Sequence, residues 1–182
     1  MKSVFGIFVS LYLFCACNQP ANEHHSETYF DVPAFIEAQA SRLATLNATL
    51  VKTMQASDKR DSANVDQPDW NREFKLFRKV DLNVPALSSK YRVTKKIADS
   101  LTITRYILPD GMNGTVELNV LKNTAGKTHK VECRILERST LTTHAETWTF
   151  VSDSGYFYSG FDRINGITTN AYSISGRFII PQ

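Results

Sequence analysis

Residues 114–135 read GTVELNVLKNTAGKTHKVECRI. In the first half Val116, Leu118 and Val120 alternate with Thr115, Glu117 and Asn119. In the second, Val131, Cys133 and Ile135 alternate with Lys130, Glu132 and Arg134. A period of two sends apolar side chains to one face of an extended strand and polar ones to the other. Ala125-Gly126 between the halves carries turn chemistry. The stretch therefore reads as two antiparallel strands with one dry and one wet face, and Cys133 as a small inward-facing core residue.

The same alternation continues on both sides. Leu101, Ile103 and Ile107 alternate with Thr102, Thr104 and Tyr106; Trp148 and Phe150 with Thr147 and Thr149; Tyr172, Ile174 and Phe178 with Ser173, Ser175 and Arg177. The breaks fall at Pro109-Asp110-Gly111, Asn113-Gly114, Ser154-Gly155 and Asn165-Gly166, which suit tight turns. Upstream, Leu50–Met54 and Ser62–Val65 flank a polar segment and suggest a small hairpin.

A dry sheet face must be covered. Ile36, Ala40, Leu43, Leu46 and Leu50 recur at spacings of three and four behind Asp31 and Pro33, predicting an amphipathic helix from about Val32 to Asn47. Trp70, Phe74, Phe77 and Val80 predict a second helix, with Asp66 or Asp69 as its cap and Pro85 past its end. The expected fold is α+β: two N-terminal amphipathic helices packed on a curved antiparallel sheet of about six or seven strands, forming one domain over residues 30–182.

The N-terminus has a different character. Lys2 is followed by VFGIFVSLYLF at 4–14, apolar apart from Ser10. That is the length of a signal-peptide core and well short of the ~20 residues that span a bilayer. Phe14-Cys15-Ala16-Cys17 ends it. This segment resembles the lipobox of bacterial lipoproteins, in which a small residue precedes the cut and the following cysteine takes the lipid; Phe14 departs from the leucine usual at its position. The resemblance covers only these first residues. It implies a signal peptide at 1–16, acylation (palmitate or similar) on Cys17, and a polar tether over 17–29. The whole chain resembles bacterial lipoproteins of a class without assigned activity. By the same resemblance, Asn18 after the acylated cysteine favours the outer membrane, with the domain facing the periplasm. Two or more acyl chains hold a protein at a bilayer stably.

The formal charge is +3 and basic residues are scattered, which argues against nucleic acid as a partner. No Gly-x-Ser-x-Gly turn, phosphate-cradling loop or metal-ligand spacing occurs. His24-His25 belong to the polar tether, and His129 and His144 have no evident partner. No catalytic residue, metal or cofactor is assigned. Aromatic density in the C-terminal half suggests one speculative ligand-binding set, Trp148, Phe150, Tyr156, Tyr158 and Tyr172, which would either line a cavity for an apolar ligand or fill the core.

The expectation is a membrane-anchored, non-catalytic lipoprotein that binds an apolar ligand or serves envelope assembly beside a protein partner. An enzyme of unrecognised type would show a pocket with convergent titratable groups. A purely structural subunit of an envelope complex would show an exposed apolar patch.

Overall fold

The computed structural model describes residues 29–87 and 89–181. The expected signal peptide, Cys17 and nearly all of the expected tether lie outside the described residues.

One helix, α1 (Val32–Thr45), opens the domain. The Asp31 side chain accepts a hydrogen bond from the Ala34 amide at 2.8 Å, and Pro33 sits in the first turn, where no amide hydrogen is needed. Val32, Ile36, Ala40 and Leu43 are buried along its inner stripe. Asn47, in a left-handed conformation (φ 47°), ends it and turns the chain into the sheet.

Among the described residues nine strands follow: β1 (Thr49–Ala56), β2 (Lys59–Val65), β3 (Arg92–Ala98), β4 (Leu101–Ile107), β5 (Gly114–Asn123), β6 (Thr128–Arg138), β7 (Thr142–Val151), β8 (Gly155–Ile164) and β9 (Ile167–Ile179). They form a single antiparallel sheet in the order β2-β1-β9-β8-β7-β6-β5-β4-β3. Seven consecutive strands make a meander. The β1–β2 hairpin then joins it through β9, with Thr49–Ala56 in register with Ile179–Tyr172.

The expected six or seven strands and two helices are therefore corrected. The hairpin adds two strands because β9, thirteen residues long, leaves a full edge for β1. The second helix is also absent as such. Trp70–Glu73 forms a single turn, α2, capped by Asp69, and Phe77–Lys79 forms a 3₁₀ turn. Amides of Phe77, Lys79 and Val80 each bond to the carbonyl three residues back. The reason lies in the spacing. Phe74, Phe77 and Val80 are three apart, and side chains three apart eclipse on a 3₁₀ backbone. Tightening the turn drives all three into the core, where they are at most 2 % exposed.

The helical cover crosses one face of the sheet diagonally; this is called the inner face. The lower end of the sheet carries the β1–β2, β4–β5, β6–β7 and β8–β9 turns, and the upper end the other three. Over β7–β9 the cover lies near the upper end, where Phe74 meets Phe150, Tyr156 and Phe178, and Trp70 meets Phe178. Over β3 and β4 it reaches the lower end, where Tyr29 packs edge-on against Tyr91 and Tyr106. Among the described residues, the helical cover does not extend over the lower end of β6–β9.

Candidate functional site

The five aromatics singled out from the sequence fall into two settings. Trp148, Phe150, Tyr156 and Tyr158 are 0–6 % exposed. All four meet Phe77, with ring centroids 5.2 to 5.9 Å apart, in edge-to-face contact. They lie between the cover and the sheet. Tyr172 stands beyond the cover's edge and is only partly buried. It stacks on Tyr158 at 6.1 Å with the rings 18° from parallel.

At this edge the inner face changes from apolar to ionisable. Counting back along β7 from Phe150 and Trp148, the same face presents Glu146 and then His144. On β8, Asp162 is in register with His144, and Gly160 with Glu146; on β9, Tyr172 is in register with Gly160. His144 Nδ1 lies 2.6 Å from Asp162 Oδ1, and its Nε2 lies 3.0 Å from Glu146 Oε1. The Tyr172 hydroxyl donates to Glu146 at 3.1 Å. Gly160 makes this reach possible: a Cβ there would sit 2.6 Å from the Tyr172 hydroxyl oxygen.

The electrostatics follow from these contacts. The hydrogen bond to Asp162 raises the His144 imidazole above its ordinary 6.5; burial opposes this, and Glu146 adds to it. Burial, with Glu146 beside them, pushes the Tyr158 and Tyr172 hydroxyls upward, so both remain donors. The cluster thus holds one imidazole between two carboxyl groups, with tyrosine hydroxyls on the deeper one.

A cleft of about 390 Å³ adjoins it, lined by Asn113, Glu137, Arg138, Ser139, Thr142 and His144. Asn113 shapes its floor: its amide group exchanges two 2.9 Å hydrogen bonds with the Arg138 backbone, extending the β5–β6 ladder past its last residue pair.

Both imidazole nitrogens are engaged, so in this geometry His144 has no free lone pair for proton abstraction or metal ligation. Among the described residues no group of three or more His, Cys, Asp or Glu side chains is arranged to hold a metal ion. His144, Glu146 and Asp162 do not converge on a point, because the imidazole occupies the middle. The remaining domain histidine, His129, is exposed on β6 and lies outside the cluster.

The residues missed from the sequence are His144, Glu146 and Asp162. The threonines beside His144, Thr142 and Thr143, carry no apolar alternation of their own and hide its place on a strand. The signal available was the Trp148–Phe150 alternation, which extends backward without a phase break through Glu146 to His144. Comparison with known protein families, with curated proteins and with solved structures found no match.

Proposed function

We propose that the chain is a non-catalytic lipoprotein, held at a bacterial outer membrane by acyl chains on Cys17, whose open inner-face end binds an envelope partner through a cationic group. The observation that carries the binding reading is the capture of His144 between Asp162 and Glu146. It fixes two carboxyl groups in place while removing the histidine from acid–base work. Glu137, exposed across from His144 on β6, lines the cleft, and Glu146 and Asp162 flank His144 on β7 and β8.

The gathering of ionisable groups is what an enzyme would need, and the engagement of both ring nitrogens is what weighs against one. Titration of the full chain with a tri-lysine peptide, followed by NMR, tests the reading. Shifts confined to the lower ends of β6–β8, weakened by Asp162→Asn, are expected. Turnover of a hydrolase substrate that disappears in His144→Gln would replace this reading with the enzyme one. Intact mass of the protein from its native membrane tests the anchor: the mature chain should begin at Cys17 and carry acyl mass.

A further inference from the structure

Three large aliphatic side chains stand in solvent at the β6–β7 and β8–β9 turns of the lower end: Leu141 at 63 % exposure, Ile164 at 47 % and Ile167 at 71 %. They occupy two adjacent turns. Leu141 is in the β6–β7 turn, while Ile164 and Ile167 pair across the β8–β9 turn. The turns are tied together, since the Asn165 amide donates to the Leu141 carbonyl at 2.9 Å. Turn residues at a sheet's tip are ordinarily polar, and grouped exposed aliphatics mark a surface that is covered by something.

Two observations say what covers them. The first is where the described chain begins. Tyr29 is pinned at the lower end by Tyr91 and Tyr106 and by the Asn83 side chain, which accepts its amide hydrogen at 2.8 Å. Only Asn18–Thr28 separate Tyr29 from Cys17, and eleven residues reach roughly 40 Å at full extension. An acyl anchor on Cys17 therefore joins the domain at this end, which can approach the bilayer without the tether first crossing the length of the sheet. The second is charge. Arg138 on β6 and Arg163 on β8 are both in register with Thr143 of β7 and both are exposed. They flank the aliphatic turns where lipid phosphates would lie once those turns entered the interface.

We propose that the lower end of the sheet seats on the bilayer surface, with Leu141, Ile164 and Ile167 in the interfacial layer and Arg138 and Arg163 on lipid phosphates. This rests on the acylation of Cys17 argued above.

The test uses the full acylated chain in vesicles of phosphatidylethanolamine and phosphatidylglycerol. An environment-sensitive fluorophore is placed at Leu141→Cys, Ile164→Cys or Ile167→Cys, and at Ile97→Cys on the upper end, where Ile97 is 75 % exposed. Cys133 is buried and stays unlabelled. The three lower labels should be blue-shifted and quenched several-fold more by lipid-borne quenchers than the label at position 97. If all four labels are equally aqueous while intact mass shows acyl chains on Cys17, the seating fails and the anchor stands. If mass shows the Cys17 sulfur bare, the anchor reading fails and takes the seating with it. Shielding that rises with protein concentration in detergent, without vesicles, assigns the turns to a second copy of the chain and overturns the proposal.

Discussion

The Tyr156 hydroxyl on β8 donates to the carboxylate of Glu73 on α2, over the backbone of Gly176. Lys52 on β1 reaches the same carboxylate from the other side at 2.9 Å. Lys52, Gly176 and Tyr156 are in register across β1, β9 and β8, so one helical turn is held by two strands that are not neighbours. This polar tie sits where the cover meets the sheet, and the Glu73 side chain is 15 % exposed. Glu73→Ala strands a buried hydroxyl and a half-buried ammonium. The expected cost is about 2 to 3 kcal/mol, read as a lower urea midpoint with an unchanged denaturant slope. Glu73→Gln, which keeps an acceptor for Tyr156, should recover part of the loss.

The arrangement occurs twice. Tyr172, Gly160 and Glu146 are in register across β9, β8 and β7, and here too a tyrosine lies over a glycine to reach a carboxylate. A Cβ at Gly176 would meet the Tyr156 ring, and one at Gly160 the Tyr172 ring. Gly176→Ala must displace a buried ring and is expected to cost about 1 to 3 kcal/mol, as overpacking does. Gly160→Ala displaces a ring at the open edge, where there is room to move. Its stability change should be smaller than that of Gly176→Ala, while the Tyr172 contact to Glu146 is lost. Urea titration of both variants, with NMR of the His144 ring in the second, separates the two effects.

How much of this could be read from residues alone differs by element. The strands β4 to β7 and β9 announce themselves through alternation, and α1 through Asp31, Pro33 and the Ile36–Ala40–Leu43 stripe, because each signal is local; β8, with Tyr156, Phe157 and Tyr158 in succession, does not alternate. The joining of β1 to β9 is not local: Thr49 and Ile179 are paired by the sheet, and nothing near either residue records it. The Trp70–Val80 stripe was legible as buried but not as broken, since spacings of three and four both fit an α-helical face until the sheet selects the tighter turn. The candidate site was the least legible part. Glu146, His144 and Asp162 are ordinary polar residues on alternating strands, and only the β7–β8 register brings them together. The aromatics drew attention because they are large, which is also why the core takes them.

Cys133 offers a clean readout of the whole fold. It lies on β6 opposite Leu118 and Trp148, and is 2 % exposed. Burial pushes its thiol far above the usual range, so the reactive thiolate is suppressed. In the native protein a disulfide reagent should leave Cys133 unmodified over hours at pH 8, and label it promptly in denaturant. Across the Glu73 and Gly176 variants, the labelling rate should rise in step with the measured loss of stability. Fast labelling of the wild-type protein would show that the β5–β7 region opens independently of global unfolding.

The pairing of His144 with Asp162 couples the open end of the sheet to pH. The folded-state value of His144 is raised above 6.5, chiefly by the hydrogen bond to Asp162 and against the opposing effect of burial. A histidine that binds its proton more tightly in the folded state stabilises that state most below its unfolded value, near 6.5. The contribution falls as pH rises through the raised folded value and is absent above it. The stability difference between wild type and His144→Gln should therefore be largest near pH 6 and shrink steadily toward pH 9. NMR titration of the wild-type imidazole should place its midpoint above 6.5, and Asp162→Asn should bring it down. Because both carboxyl partners are partly open to solvent, added salt should flatten the pH dependence. A wild-type midpoint at or below 6.5 would mean that the imidazole is not held between Asp162 and Glu146 in solution, and the open end would then present a free histidine beside two carboxyl groups.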